Sequence, residues 1–136
     1  MVDGGMSENP RVTLYQAEYE AILANRALEE PAETVSIAGK HCEEGDMLVI
    51  DGKMPQIQPG DLLAIPTTGA YHYSMASNYN RYPRPAVIFV KAGLADIVVE
   101  RESYANLVAR DRIPRRLAQA GAKEIRPHLP AAGNPG

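Results

Sequence analysis

The chain has 136 residues, 45% of them hydrophobic, and a formal net charge of −3. This length indicates one domain with an ordinary core, and the small negative charge gives no electrostatic case for a nucleic acid or an anionic membrane as partner. The longest clean apolar run, Ala86 to Val90, is far too short for a membrane-spanning helix. Cys42 is the only cysteine, which excludes an internal disulfide. With no secretory segment after Met1, we expect a cytoplasmic protein.

The first part of the chain combines turn signals with a segment of ambiguous periodicity. Asn9-Pro10 predicts a turn. From Tyr15 to Arg26 the apolar residues fit one face of a helix as well as the alternating positions of a strand, so both structures stay open. Pro31 then predicts a break in any regular structure.

From residue 33 onward the pattern favours short strands separated by turns. Asp51-Gly52 predicts a turn that closes the second strand, and Ala92-Gly93 predicts the turn of a hairpin. Strands spaced by about ten residues are typical of a barrel or a sandwich. The predicted strand segments are Thr34–Ile37, Met47–Ile50, Leu62–Ile65, Val87–Val90 and Asp96–Glu100.

The C-terminal part contains one predicted helix and a tail of different composition. Ser103 can cap a helix that runs to Arg112, with Tyr104, Leu107 and Val108 on one face. After Pro114 the chain becomes basic and rich in proline, alanine and glycine, a composition typical of flexible segments. We therefore expect a β-domain over residues 1–112 and a flexible tail over residues 113–136.

Tyrosines are concentrated in one segment, Gly69 to Arg84, which holds Tyr71, Tyr73, Tyr79 and Tyr82 among its glycine, serine, asparagine and proline residues. Each tyrosine combines an apolar ring with one hydroxyl, which suits the binding of a half-polar ligand. We interpret this segment as part of a binding wall.

Cys42 and Glu43 form a second candidate, on a predicted loop between two strands. One interpretation is an inert, half-buried cysteine beside a solvated acidic turn. The other is a thiol that donates a proton, next to a carboxylate that pairs with a substrate ammonium. Metal binding is not expected, because one cysteine and three widely separated histidines do not make a ligand set. The histidines are His41, His72 and His128.

Arg11 and Tyr15, which follow the glycine pair of Asp3-Gly4-Gly5, form a third candidate. A guanidinium offers a forked donor to a carboxylate, and tyrosine adds a hydroxyl. The glycines allow a bend of the backbone or a close approach to a ligand. A structural turn with a surface arginine is the alternative, and the local sequence leaves both open.

In order and spacing, six segments resemble the C-terminal part of the diaminopimelate decarboxylases, pyridoxal phosphate (PLP) enzymes of the alanine-racemase-like fold type. The resemblance covers residues 2 to about 112, and the ordered co-occurrence of the segments makes it specific. It implies a mainly β fold, a Greek-key barrel or sandwich-like domain with one or two short helices. The segments are VDGGMSENPR (Val2–Arg11), LYQAEYEAILANR (Leu14–Arg26), VSIAGKHCEEGD (Val35–Asp46), PGDLLAIPTTGAY (Pro59–Tyr71), SMASNYNRYPRPAVIFV (Ser74–Val90) and RESYANL (Arg101–Leu107).

The resemblance also implies roles for the candidate residues. Arg11 and Tyr15 match positions that hold the carboxylate end of the substrate. Cys42 and Glu43 match a loop that reaches the partner subunit's active site, where the cysteine lies near the reacting carbon and the glutamate reads the far end of the substrate. Tyr71 matches a tyrosine beside PLP and its phosphate, where it also contacts the substrate.

In this family an N-terminal barrel, upstream of Asp3-Gly4-Gly5, carries the lysine that holds PLP. Lys40, Lys53 and Lys91 lie in strand or turn contexts and cannot replace it. We therefore expect the chain alone to be inactive. The complete enzyme, a homodimer with PLP, is expected to convert meso-diaminopimelate to L-lysine and carbon dioxide. The family often has glycine where this chain has His72, so the resemblance does not fix the local backbone geometry at this position.

Two rival functions stay open at this stage. The chain fits a related decarboxylase that acts on ornithine, arginine or lysine, although Arg11 together with Glu43 suits a substrate with a second carboxylate beside an ammonium. It also fits a non-catalytic dimerisation domain or a remnant. In every case, a β-domain separated from its barrel is expected to expose an apolar face.

Overall fold

The computed structural model describes residues 1–118, in which the regular elements are short and mainly β. This confirms the expected class, a mainly β domain with few short helices. Most of the predicted tail, residues 119–136, lies outside the described residues. In chain order the elements are α1 (Arg11–Tyr15), β1 (Ile22–Leu23), β2 (Glu33–Ala38), β3 (Met47–Met54), β4 (Leu63–Ala64), two 3₁₀ turns (Tyr73–Met75 and Tyr79–Arg81), β5 (Val87–Lys91), β6 (Leu94–Val99) and α2 (Tyr104–Val108).

The strands form three separate two-stranded antiparallel sheets, which pair β1 with β4, β2 with β3, and β5 with β6. A closed barrel requires every strand to be hydrogen-bonded along both edges. Each strand of residues 1–118 has one partner, so the expectation of a closed barrel is not met in this part of the chain.

The β2–β3 hairpin is the longest pairing and contains a β-bulge. Val35 pairs with Gly52 and Ile37 with Val49, so that Ser36 lies opposite two residues of β3. Asp51, with φ of 52°, donates its backbone N–H to Oγ of Ser36 at 3.1 Å. The prediction of a turn at Asp51-Gly52 is therefore wrong. The Ser36 side chain accepts the backbone N–H of Asp51 at the bulge, and the strand continues to Met54.

The core lies where the β2–β3 hairpin packs against β1. Leu23 of β1 and Met54 of β3 are each only 1% exposed. The ambiguous segment from Tyr15 to Arg26 thus contributes a strand, β1, while helix α1 precedes it, ends at Tyr15 and is capped by Gln16 with φ of 54°. The buried hydrophobic residues of this cluster are Ala21, Leu23, Ile37, Leu48, Val49 and Met54.

The β5–β6 hairpin confirms the turn predicted at Ala92-Gly93, where both residues have positive φ (50° and 77°) as a two-residue hairpin loop requires. Its apolar side chains stay largely open to solvent. Phe89 is 66% exposed and Leu94 is 71% exposed. An apolar surface of this kind is typical of an interaction surface.

Helix α2 begins with the cap predicted at Ser103. Oγ of Ser103 accepts the Asn106 N–H at 3.3 Å, and Oδ1 of Asn106 accepts the Ser103 N–H at 2.7 Å, which completes a capping box. The helix ends at Val108, earlier than the predicted Arg112. Across residues 1–118, no helix has the length and apolar character needed to cross a membrane.

Candidate active site

Arg11 is held between two tyrosine rings. Its guanidinium carbon lies 5.7 Å from the ring centre of Tyr15, one turn along α1, and 5.4 Å from that of Tyr71. Oδ1 of Asn9 accepts the backbone N–H of Arg11 at 3.3 Å, at the start of the helix. The fold thus brings together three predicted site residues from segments that are 60 positions apart in the chain.

The Arg11 guanidinium is not fully satisfied by the chain itself. Its Nε atom is buried and has no hydrogen-bond partner within residues 1–118. A forked cation held between two aromatic rings is suited to a carboxylate or a phosphate. This arrangement favours the anion-binding interpretation of Arg11 over that of a surface arginine in a structural turn.

Tyr71 reaches Arg11 through an unusual backbone conformation. Its φ is 63°, in the left-handed region that non-glycine residues adopt rarely. The next residue, His72, is buried, lies within hydrogen-bond distance of the Ala70 carbonyl through Nδ1 (2.8 Å), and packs edge-on against Tyr19 with ring centres 5.4 Å apart. The histidine at this position therefore acts as an internal anchor that turns Tyr71 outward.

Cys42 and Glu43 lie on the exposed loop between β2 and β3. The exposure of Cys42 contradicts the interpretation of a half-buried, inert cysteine. The Tyr79 hydroxyl donates a hydrogen bond to Oε2 of Glu43. This bond, followed by the charge of Glu43, raises the pKa of Tyr79, because a phenolate would lie against a carboxylate.

Asp46 ends this loop and is its internal anchor. The side chain is almost fully buried and accepts two backbone N–H groups, those of Met6 and His41, each at 2.6 Å. A Cβ atom at Gly39 would collide with the carboxylate, and one at Gly5 would collide with Cδ2 of His41 (2.9 Å) and lie 3.0 Å from both carboxylate oxygens. Of the glycine pair, Gly5 therefore makes a close approach to His41 and Asp46, whereas the nearest contact of Gly4 is an ordinary one, with Leu48 at 3.8 Å.

His41 connects this anchor to the tyrosine segment. Its Nε2 lies 2.9 Å from Oγ of the buried Ser7, and its ring packs edge-on against Tyr79 and Tyr82, with ring centres 5.2 Å and 5.1 Å away. Nζ of Lys40 lies 4.8 Å from the Tyr82 ring centre. The 40–46 loop and the tyrosine segment thus support each other.

The base of the tyrosine segment is fixed by Arg84 and Glu102. The guanidinium donates to Oε1 of Glu102 from Nε (2.9 Å) and Nη2 (2.6 Å), while Oε2 accepts the Arg84 N–H at 2.9 Å and Nδ2 of Asn78 at 2.6 Å. The Arg84 side chain, with these further donors, lowers the pKa of Glu102 to about 2.

The lowered pKa predicts a pH-dependent contribution to stability. A carboxyl whose pKa is lower in the folded state stabilises the protein above its unfolded value, 4.5, and loses that contribution as the pH falls towards 2. In urea unfolding, Glu102→Gln should therefore be less stable than the parent chain at pH 6, and the two should converge near pH 2. A difference that stays constant across this range would contradict the assignment.

The predicted site residues fall into two groups. Arg11, Tyr15 and Tyr71 form one, and Glu43 with its neighbour Cys42 belongs to the other. Within residues 1–118 the groups share no hydrogen bond, ion pair or aromatic contact. They are linked indirectly, since Oγ1 of Thr13 in α1 donates to the Gly45 carbonyl at 2.8 Å.

Comparison with known proteins decides the family. The model of the family described as "Pyridoxal-dependent decarboxylase, C-terminal sheet domain" matches residues 1–69, about half of the chain. The chain belongs to this family.

The curated relatives of this sheet domain are diaminopimelate decarboxylases. The protein from Bacillus subtilis is 60% identical over 110 residues, which is 81% of the chain, and that from Synechocystis sp. is 53% identical over 116 residues, or 85% of the chain. In both cases the match covers 25% of the relative. The chain thus spans about a quarter of the length of these relatives.

Solved structures agree. The sheet domain superposes on diaminopimelate decarboxylase from M. jannaschii in complex with L-lysine with a TM-score of 0.79 and 38% identity, covering 86% of this chain and 26% of that one. For the Helicobacter pylori enzyme complexed with L-lysine, the TM-score is 0.69 at 30% identity, with 88% and 28% covered.

The residues of the sheet domain fit part of a PLP site. Tyr71 is 65% exposed, and its ring lies beside the Arg11 guanidinium; a phenol and a guanidinium together are donors suited to a phosphate or a carboxylate. Three residues that support the 40–46 loop and the tyrosine segment were not predicted to do so from the sequence. No role was predicted for Asp46, Tyr79 was predicted only as part of the binding wall, and His41 was considered only as a metal ligand and rejected.

Proposed function

We propose that the chain is the C-terminal part of a diaminopimelate decarboxylase, which converts meso-diaminopimelate to L-lysine and carbon dioxide. The observation that carries this proposal is the position of Arg11 between the rings of Tyr15 and Tyr71. Its buried Nε has no hydrogen-bond partner within residues 1–118. The names of the relatives support the choice of diaminopimelate over ornithine, arginine or lysine as substrate.

Arg11 and Tyr15 would hold a substrate carboxylate through charge-assisted hydrogen bonds, which fix both its position and its orientation. Tyr71 would donate its hydroxyl to the phosphate of PLP and cover the substrate with its ring. When bound, PLP accepts the electron pair that the departing carboxylate leaves behind.

Cys42 and Glu43 would act at the other end of the reaction site. A thiol on an exposed loop is a competent proton donor, and we assign to Sγ of Cys42 the proton that replaces the lost carboxylate. Glu43 would pair with the ammonium at the far end of the substrate. Since these residues share no hydrogen bond, ion pair or aromatic contact with the Arg11 group within residues 1–118, we propose that they serve the active site of a partner subunit in a homodimer.

Further features belong to the same proposal. The strands of the described part would complete a Greek-key barrel or sandwich in the whole protein, with the domain ending near residue 112 and a tail over 113–136. The lysine that holds PLP would come from an N-terminal barrel, so the chain alone would be inactive. A cytoplasmic location stays a prediction.

A chimera tests the function. In Bacillus subtilis diaminopimelate decarboxylase, the matched 110-residue segment is replaced by the corresponding residues of this chain, and this enzyme is called the chimera below. It should release carbon dioxide from meso-diaminopimelate within about tenfold of the parent rate. A folded, PLP-loaded chimera without this activity would contradict the proposal, and faster turnover of lysine or ornithine would favour a related decarboxylase.

A further inference from the structure

Tyr79 is better fixed in space than the glutamate that it contacts. Its ring packs edge-on against His41, which is buried and held by Ser7 and, through its backbone N–H, by Asp46. On its other side, the preceding Asn78 donates to Glu102 at 2.6 Å. The phenol therefore stands on a rigid support built from two distant parts of the chain.

Glu43, in contrast, lies on an exposed loop with a flexible side chain. One of its oxygens, Oε2, accepts the Tyr79 hydroxyl. The other, Oε1, makes no hydrogen bond within the described residues. A carboxylate with one oxygen held and one oxygen open is prepared for a cation, because less side-chain entropy is lost when the ligand binds.

We propose that Tyr79 is a positioning residue that sets the selectivity of the site for a substrate with a distal ammonium, by holding Glu43 in the orientation that receives it. This inference rests on the function proposed above. The hydroxyl donates to the carboxylate and so restricts the orientations that the Glu43 side chain can adopt. Tyr79 contacts no reacting atom in this scheme and acts only through Glu43.

The hydrogen-bonded pair can be tested on the chain itself, without activity. With ¹³Cζ-tyrosine labelling, loss of one resonance in Tyr79→Phe identifies Tyr79 among the seven tyrosines. Its pKa should lie above the ordinary tyrosine value and should fall in Glu43→Gln. A Tyr79 pKa that does not respond to Glu43→Gln would overturn the proposal.

Selectivity is tested in the chimera with two substrates, meso-diaminopimelate and 2-aminopimelate, which lacks the distal amine. Tyr79→Phe should raise KM for meso-diaminopimelate about tenfold and change kcat less than about threefold, while KM for 2-aminopimelate stays nearly constant. The matched hydroxyl deletion Tyr104→Phe, on the exposed surface of α2, should leave both constants unchanged.

The outcomes separate this inference from the proposed function. Equal losses for both substrates, or no loss in an active chimera, would overturn the role of Tyr79 and leave the decarboxylase assignment intact. A chimera inactive on meso-diaminopimelate would contradict both, and the titration would still decide whether the pair exists. In Glu43→Gln, a further Tyr79→Phe change should add little, because both substitutions remove the same interaction.

Discussion

In the chimera, Arg11→Ala should lower kcat/KM for meso-diaminopimelate by about 100-fold or more. Truncating one partner of a hydrogen-bonded charge pair costs about 2–5 kcal/mol, since the substrate carboxylate would be left beside two phenol rings without its counter-charge. Arg11→Lys keeps the charge but loses the fork, and should recover only part of the activity. The measurement is the steady-state rate of carbon dioxide release.

Arg110, an exposed arginine beyond α2, provides the control, and Arg110→Ala should leave kcat/KM unchanged. The loss of activity should also be compared between substrates. The effect of Arg11→Ala should be larger for meso-diaminopimelate than for lysine-like diamino acids, whereas equal losses would favour a related decarboxylase. An Arg11→Ala chimera within threefold of the parent would remove the main support for the proposed function.

The largest effect on stability is expected for Gly39→Ala. A Cβ atom at Gly39 would lie 2.6 Å from Cγ of Asp46 and closer still to both carboxylate oxygens. To escape, the carboxylate would have to give up the N–H groups of Met6 and His41, which would leave buried polar groups without partners. We expect a loss of about 3 kcal/mol or more in the free energy of unfolding, measured in urea.

Gly69→Ala is the matched control for this prediction. No atom lies within 4 Å of a Cβ built at Gly69, so alanine should change stability by less than about 0.5 kcal/mol. If both variants unfolded at the same urea concentration, Asp46 would not be the anchor of the 40–46 loop. Gly39→Ala should also disturb Cys42 and Glu43, since this loop is fixed at its base by the same carboxylate.

Local chemistry explains which parts of the fold were predictable. The β5–β6 hairpin and the Ser103 cap depend on residues within a few positions of one another, and both were predicted. The Asp51-Gly52 turn was predicted wrongly because Ser36, 15 residues away, stabilises a bulge there. Strand spacing indicated a barrel or a sandwich and could not separate them, because spacing carries no information about which edges are paired.

The site residues likewise divide into those whose proximity depends on nearby residues and those brought together by distant parts of the chain. Arg11 and Tyr15 are four residues apart, a spacing that brings them together on α1, but the sequence analysis predicted no helix over these residues. Tyr71 joins them through a fold that only the family resemblance anticipated. The Tyr79–Glu43 pair and the two bonds of Asp46 join residues far apart in the chain or depend on burial, and no local pattern reports either.

The composite site is tested most directly by mixing two inactive chimeras, one carrying Arg11→Ala and the other Cys42→Ala with Glu43→Ala. If Arg11 serves its own subunit and the 40–46 loop serves the partner, each mixed dimer regains one intact site. Random assortment should then restore about a quarter of the parent activity. A mixture that exchanges subunits yet stays as inactive as its components would contradict the account.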